Sequence, residues 1–496
     1  MNALWAVIVL VALGSCIETS LKMCDALWVR TDTTIPEASI VYSIRSFFDP
    51  GYSLYRDYTV APFTTTPYTP IYYLVAAVVS EFLGGSVYDT YLAGRCVSIA
   101  AFFLSLGLIY KIATNIGIRR ASAGLASLFV CGTSIVYPWA VSCRPDFLAL
   151  AFGLLGVYFV SRPETGQAGS PPTVLISWVL SFFCKQSFLS LPVSYFCFSI
   201  LRGRMSDGAR VLLTFVALVV GACFLIEVAT VGNFLSNVIT ANVAPPDFRT
   251  AFHVTKEATL ESFFLVFMCG VAGAMVIISS TNTARRMKSE LGRFIAVAAT
   301  VSTIYFTATT LKPGGAGNYF LEPLFLWAIL AGALFDFLRD ELGAFRRVAV
   351  LCVATFVWAL PLLQISAADV EASRSSPFWE HEKFSEAVLS TPGDILFISN
   401  GFGLRLGRGT TLYDGFNASY LEEEGKIDLS SMAQRIQRQE FSALLIQSAP
   451  EYYGYSLTPR SLKMFIKQRY QRDFEIGPYQ WMVPRAPLLS SVQQDW

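Results

Sequence analysis

Up to about residue 365 the chain is a succession of apolar runs separated by short polar turns. Runs near 4–21, 96–113, 121–141, 146–161, 211–230, 260–280, 293–310, 319–337 and 347–365 approach the length a helix needs to cross a bilayer, about 20 apolar residues. Two further stretches are short. The stretch 173–201 is interrupted by Cys184-Lys185-Gln186-Ser187, and at about 1.5 Å per residue each arm reaches only about 20 Å. It is therefore expected to be a helical hairpin with Lys185 at its tip. The stretch 70–84, which contains Glu81, is expected to lie along the membrane surface. The pattern predicts a polytopic α-helical membrane protein of about eleven spans.

Composition agrees. Hydrophobic residues make up 54% of the chain and charged residues 15%, against about 25% charge in a soluble domain. A purely soluble enzyme is excluded. The net charge of +1 gives no case for a nucleic-acid partner. The ten cysteines all lie in the apolar part, without a CxxC, and His253 and His381 are isolated, so the sequence offers no zinc site. The run Leu4 to Leu21 has no preceding Lys or Arg and is read as an uncleaved first span.

Charge placement sets the expected orientation. With 173–201 as a hairpin and 70–84 at the surface, Lys111, Arg119, Arg120, Arg162, Arg202, Arg204, Arg210, Arg285, Arg286, Lys288, Arg293, Arg339, Arg346 and Arg347 share one side. The short loops of the other side hold only Arg144, Lys185, Arg249, Lys256 and Lys312. Positive residues mark the cytoplasmic side. The N-terminus is thus expected inside, with the loop 22–95 and the C-terminal domain outside, in a cell (inner) membrane. Chemistry or recognition is expected at the outer face.

The first outer loop opens with Asp32 and with Pro36-Glu37-Ala38-Ser39, followed by apolar residues at helical spacing. Glu37 stands in the first turn of that expected helix, where an acid also favours the helix dipole. Asp57 follows in Leu54-Tyr55-Arg56-Asp57-Tyr58, where an ion pair with Arg56 or a turn would equally account for it. A Pro/Thr/Tyr segment then contains Pro62, Pro67, Tyr68 and Pro70. Tyrosines here serve as interfacial residues or as platforms for sugar rings.

The order of these features resembles the GT-C superfamily of integral membrane glycosyltransferases, and within it the bacterial branch similar to protein O-mannosyltransferases and lipid A aminoarabinose transferases. The resemblance rests on the acidic loop start, the Leu54-Tyr55-Arg56-Asp57 motif, the Pro70-Ile71-Tyr72-Tyr73 segment and Gly94-Arg95-Cys96-Val97-Ser98 opening the next span. It continues in Ser142-Cys143-Arg144-Pro145-Asp146, in Cys184-Lys185-Gln186, and in the run from Lys312 through Asn318, Tyr319 and Glu322, covering roughly residues 1–340. The family often has two adjacent acids at the loop start. Here Pro36 precedes Glu37 and Asp32 lies five residues earlier, which leaves the base open among Asp32, Glu37 and Asp57.

The resemblance implies inverting transfer of a sugar, hexose or pentose, from a polyprenyl-phosphate lipid to an acceptor hydroxyl on a glycan, lipid or protein at the outer face. A carboxylate takes the acceptor proton, with Glu37 the first candidate and Asp57 the second. Arg144, Lys185 and Lys312 are the candidates for holding the departing phosphate. Asp146, Tyr55, Tyr68, Asn318, Tyr319 and Glu322 are expected at the substrate. Most have a plainer alternative: Arg144 and Asp146 pairing at a helix start, Lys312 in a Pro/Gly turn, Asn318, Tyr319 and Glu322 capping and anchoring a helix. Glu37 and Asp57 could help hold a divalent cation, but two carboxylates without further ligands are weak grounds for a metal site, and no other cofactor is indicated. Two other classes fit a multispanning chain with a large outer loop: a polymerase or ligase of lipid-linked glycans, and a lipid or glycan transporter. A transporter predicts paired broken helices near mid-membrane, and the sequence has no repeated halves.

Beyond about residue 366 the pattern changes. Asp394–Asn400 and Ser442–Gln447 are expected strands, with an amphipathic helix over Ser430–Gln439 between them, giving a small extracytoplasmic α/β domain over 366–496. Asn417-Ala418-Ser419 matches a glycosylation sequon. The domain is expected to cover the active-site face or to help bind the acceptor.

Overall fold

A computed structural model describes the chain from residue 2 to 486 with breaks, the longest at 48–53, 163–170, 342–376 and 448–455. The expected span 347–365 falls outside the described residues. The chain divides into two compact units. The first comprises Met1–Val29, Ile44–Leu54 and Pro67–Arg374; the second comprises Arg30–Ser43, Tyr55–Thr66 and Ser375–Trp496.

The first unit is helical. Its elements are α1 (Asn2–Leu27), α3 (Pro70–Leu83), α4 (Val87–Asn115), α5 (Arg120–Cys131), α6 (Tyr137–Ala140), α7 (Asp146–Ser161), α8 (Pro171–Cys184), α9 (Ser190–Leu201), α10 (Met205–Ala229), α11 (Asn233–Val238), α12 (Phe248–Ala258), α13 (Phe264–Ser279), α14 (Thr283–Thr309) and α15 (Leu321–Glu341). Among the described residues four helices are long and apolar enough to cross a membrane: Val87–Asn115, Met205–Ala229, Glu290–Thr309 and Gly317–Leu338. Six shorter apolar helices accompany them.

α15 is the centre of this unit, with Leu324 through Ala331 buried. It packs backbone to backbone on α13, where a Cβ at Gly273 would fall 1.8 Å from the Leu330 carbonyl oxygen; small residues permit such close helix contact. α10 instead exposes Leu213, Phe224, Leu225 and Val228, the surface expected of a helix facing lipid. The break at Lys185 is present as expected. α8 ends at Cys184 and α9 begins at Ser190, and the Trp178 and Tyr195 rings of the two arms lie 5.9 Å apart.

Several span boundaries differ from expectation, two of them for a clear local reason. α4 begins at Val87 rather than near 96, because Ser86 and Asp89 form a reciprocal capping box that starts the helix early. The expected span 121–141 ends as a helix at Cys131, and Tyr137-Pro138 starts the separate short α6.

The second unit holds a five-stranded sheet in the order β2-β1-β3-β5-β4. Its strands are β1 (Ile395–Ile398), β2 (Thr410–Leu412), β3 (Ala443–Gln447), β4 (Tyr470–Ile476) and β5 (Tyr479–Pro484). β1 pairs in parallel with β2 and β3; β3–β5 and β5–β4 are antiparallel. β1 is buried at every position, as suits a central parallel strand read as a continuous apolar run. The helices α16 (Pro377–Ser390), α17 (Gly415–Glu423), α18 (Ser430–Gln437) and α19 (Arg460–Arg469) complete the α/β part. Phe384 and Val388 of α16 pack against Phe397, Leu445 and Trp481. Most of α2 (Glu37–Arg45) also belongs to this unit.

Candidate active site

In the first unit Asp146 is fully buried at the start of α7, where Pro145 ends the preceding turn. Its Oδ1 accepts from Lys185 Nζ at 2.5 Å and from Asn318 Nδ2 at 2.7 Å, and its Oδ2 from Arg144 Nε at 3.2 Å. Three turns far apart in sequence therefore meet on one carboxylate: the α6–α7 turn, the hairpin tip and the 3₁₀ turn Gly317–Phe320 leading into α15.

Aromatic rings line the cations. Arg144 Nη2 donates to the Tyr68 hydroxyl at 2.6 Å, and the guanidinium lies 4.9 Å from the Trp139 ring centroid. Lys185 Nζ lies 4.9 Å from the Tyr319 ring and 5.8 Å from that of Tyr68. Such contacts stabilise a cation by about 0.5–2 kcal/mol without neutralising it. The backbone beneath is fixed by Ser98 of α4, whose hydroxyl donates to the Arg144 carbonyl at 2.9 Å.

Lys312 joins the group from the turn after α14. Its Nζ donates to Asn242 Oδ1 at 2.9 Å, and Asn242 Nδ2 in turn donates to the Asn237 and Val238 carbonyls. Gln186 Nε2 ties the hairpin tip to the Pro67 carbonyl at 2.7 Å. Burial, aided by the Lys185 ammonium, pulls Lys312 down to about 8. Asp146 thus pairs with both Arg144 and Lys185, and Lys312 lies close enough to feel the Lys185 charge. Buried cations attract an anion that offsets their desolvation. Gln186 Oε1 and Ser187 Oγ of the same turn are buried without a hydrogen-bond partner among the described residues, so they are groups a ligand can satisfy.

Glu322 lies apart from the cations, about one helical turn beyond Asn318. Its Oε1 accepts from Ser190 Oγ of α9 and from Ser302 Oγ of α14, the latter at 2.7 Å. It ties α9, α14 and α15 together. Its Oε2 has no partner among the described residues.

Glu37, Tyr55, Asp57 and Asp32 belong to the second unit. Glu37 is fully buried at the first position of α2. Tyr55 is buried. Asp57 is exposed and closes its own turn, accepting from the Thr59 N–H at 2.8 Å and hydroxyl at 2.7 Å; the hydroxyl and backbone bonds hold its carboxyl below the usual range. Asp32 Oδ2 accepts from the Gly401 N–H at 2.9 Å. The sequon residue Asn417 is engaged internally, donating to Asp414 Oδ2 at 2.7 Å and to Thr65 Oγ1 at 3.3 Å.

Sequence reasoning missed Trp139, Asn242 and Ser98. Trp139 carried no signal beyond its nearness to Arg144. Asn242 lies between α11 and α12 and carried no signal in the sequence. His253 is exposed beside Glu257, and the Asp247 backbone N–H donates to the Leu311 carbonyl at 2.7 Å. Among the described residues no three His, Cys, Asp or Glu side chains gather to hold a metal.

The fold, a bundle of apolar helices with a small α/β unit in the same chain, resembles that of solved GT-C membrane glycosyltransferases, and the likeness is one of fold. The chain is similar to ArnT from Cupriavidus metallidurans bound to undecaprenyl phosphate, with a TM-score of 0.60 over 97% of this chain and 98% of that one at 12% identity. Against apo ArnT the TM-score is 0.58 at 12% identity, covering 96% and 97% of the two chains. An oligosaccharyltransferase from Archaeoglobus fulgidus follows at 0.56 and 11% identity, over 96% of this chain and 72% of that one. No protein-family profile matches the sequence, and no curated protein does.

Proposed function

We propose that this protein is a membrane glycosyltransferase that moves a sugar from a polyprenyl-phosphate lipid to an acceptor hydroxyl. The observation that carries this reading is the gathering of buried cations in one place, Arg144 and Lys185 on Asp146 with Lys312 near Lys185. The fold likeness supports it: one similar structure holds undecaprenyl phosphate, and the Archaeoglobus fulgidus oligosaccharyltransferase AglB, at a TM-score of 0.51, was solved with a dolichol-phosphate and an inhibitory peptide.

In the proposed reaction the acceptor oxygen attacks the anomeric carbon from the face opposite the phosphate. A carbon–oxygen bond to the acceptor forms as the bond to the phosphate oxygen breaks. The acceptor proton passes to a carboxylate, for which Glu37 is our choice, and the polyprenyl phosphate leaves with one more negative charge. Arg144, Lys185 and Lys312 answer that developing charge. Asp146 keeps two of these cations apart and aimed, and Asn318 fixes its carboxylate. Tyr68 and Tyr319 present ring faces beside the cations. About eleven spans, an inner N-terminus and an outer C-terminal domain complete the proposal, on the placement of the Arg clusters.

The test incubates the purified protein in lipid with a panel of radiolabelled polyprenyl-phosphate sugars and candidate acceptors. Wild type should transfer label, and Glu37→Gln should lose at least about 10²-fold, the scale of a general base. Equal rates would remove Glu37 from that role. No turnover with any donor, together with no binding of undecaprenyl phosphate, would sink the reading altogether.

A further inference from the structure

The segments 30–43 and 55–66 come from the first outer loop, yet they form one compact unit with the C-terminal sheet. Three contacts fasten them there. Before α2, the Gly401 N–H just after β1 donates to Asp32 at 2.9 Å. On α2 itself, the Tyr42 ring stacks on Tyr413, which directly follows β2, with centroids 4.6 Å apart and planes at 26°. On the returning segment, Asn417 of α17 donates to Thr65, and the neighbouring Thr66 hydroxyl bonds the Ser43 hydroxyl of α2 at 3.0 Å.

All three anchors sit at the carboxyl ends of the adjacent parallel strands β1 and β2, the edge where α/β sheets present their functional loops. That edge is rigid. Ser399 holds a left-handed backbone at φ 58°, donates to the Leu457 carbonyl at 2.7 Å and accepts from the Gly415 N–H at 3.0 Å. A non-glycine residue is kept in that region only where its surroundings over-determine it. Tyr42 and Tyr413 share their cluster with Ala38, the residue next to Glu37. Burial, with the charges of Asp32 and Glu37, pushes the Tyr479 phenol of β5 well up. The acid-bearing helix is therefore electrostatically coupled to the sheet as well as packed on it.

We propose that Tyr413 is a positioning residue for Glu37: the C-terminal unit holds the helix that carries the base, through the Tyr42–Tyr413 stack. The inference rests on Glu37 being the base of the proposed transfer. A displacement of about 1 Å in a reacting group costs on the order of 10²-fold in rate, so an anchor far along the chain can govern turnover without touching substrate.

The experiment uses the full-length protein in lipid, with Tyr413→Ala, Tyr413→Phe, Glu37→Gln and the double variant Glu37→Gln/Tyr413→Ala. Amide hydrogen exchange over 37–45 is read alongside binding of undecaprenyl phosphate and transfer from the donor panel. Tyr413→Ala should speed exchange in α2 by at least tenfold and slow transfer by at least tenfold, leaving undecaprenyl phosphate affinity unchanged. Tyr413→Phe, which keeps the stack, should match wild type. The double variant should be no slower than Glu37→Gln alone. Unchanged exchange in Tyr413→Ala, a further loss in the double variant, or weakened phosphate binding would overturn the proposal. Glu37→Gln at the wild-type rate would instead sink the base assignment, and the role of Tyr413 with it. An inactive Glu37→Gln beside a fully active Tyr413→Ala would sink only the positioning role.

Discussion

Lys185 and Asp146 form a buried ion pair, Nζ to Oδ1 at 2.5 Å, with Asp146 shared by Arg144. Asp146→Asn takes a shared carboxylate away from the buried Lys185 and Arg144, a change that costs about 3–5 kcal/mol when one partner of a buried pair is lost. The variant should melt below wild type. An added anion then has more to neutralise, so undecaprenyl phosphate should raise its melting temperature by more than it raises that of wild type. Lys185→Met should bind undecaprenyl phosphate about 10- to 100-fold more weakly, from about 1.5–3 kcal/mol for a charged hydrogen bond. A smaller ligand-induced shift in Asp146→Asn, or unchanged binding in Lys185→Met, would contradict a phosphate site here.

Lys312 gives the site a pH dependence whose sign is fixed. Burial and the Lys185 ammonium hold it at about 8, and Asn242 Oδ1 is its neutral partner. Only the ammonium attracts phosphate, and a bound anion raises the Lys312 pKa, so binding takes up a proton as pH rises through 8. Affinity for a sugar phosphodiester donor, whose phosphate does not titrate in this range, should be nearly full at pH 7 and fall about tenfold by pH 9. Lys312→Arg stays charged throughout and should bind with a flat profile. The comparison is an isothermal titration at both pH values.

The helices were largely legible because membrane crossing imposes length and apolarity, and Lys185 was legible because a charge inside an apolar run has few innocent reasons to be there. The meeting of Asp146 with Lys185 and Asn318 was not. Those partners lie 39 and 172 residues away, and no local pattern encodes such a contact. The same holds for the loop segments built into the second unit, where Asp32 meets Gly401 across 369 residues. Boundaries failed where local chemistry overrode the apolar pattern, as the capping box at Ser86 and the Pro138 break illustrate. β2, β4 and β5 were missed; β2 is only three residues long, and Gln471, Arg472 and Asp473 interrupt the alternation in β4.

Gly94 of α4 leaves no room for a side chain. A Cβ there would lie 2.1 Å from Cys143 Sγ and 3.1 Å from the Tyr72 hydroxyl, which itself donates to the Gly94 carbonyl. Cys143 precedes Arg144, so Gly94→Ala should displace the turn that carries Arg144 as well as overpack the core, at a cost of about 1–3 kcal/mol. Both melting temperature and undecaprenyl phosphate affinity should drop. Adding Cys143→Ala removes the clashing sulfur and should restore most of each. A double variant no better than Gly94→Ala would place the damage elsewhere.

Glu322 was expected at the substrate, whereas its carboxylate is held by Ser190 and Ser302. A packing role and a substrate role separate by substitution. Glu322→Gln keeps an acceptor oxygen for both serines and should leave melting temperature and undecaprenyl phosphate affinity near wild type. Glu322→Leu removes the acceptor and leaves two buried hydroxyls unsatisfied, at about 1–3 kcal/mol each, so its melting temperature should fall clearly. If Glu322→Gln instead keeps its stability but loses transfer by 10²-fold or more, the carboxylate takes part in the reaction. The tie between α9, α14 and α15 would then be secondary to a contact with substrate.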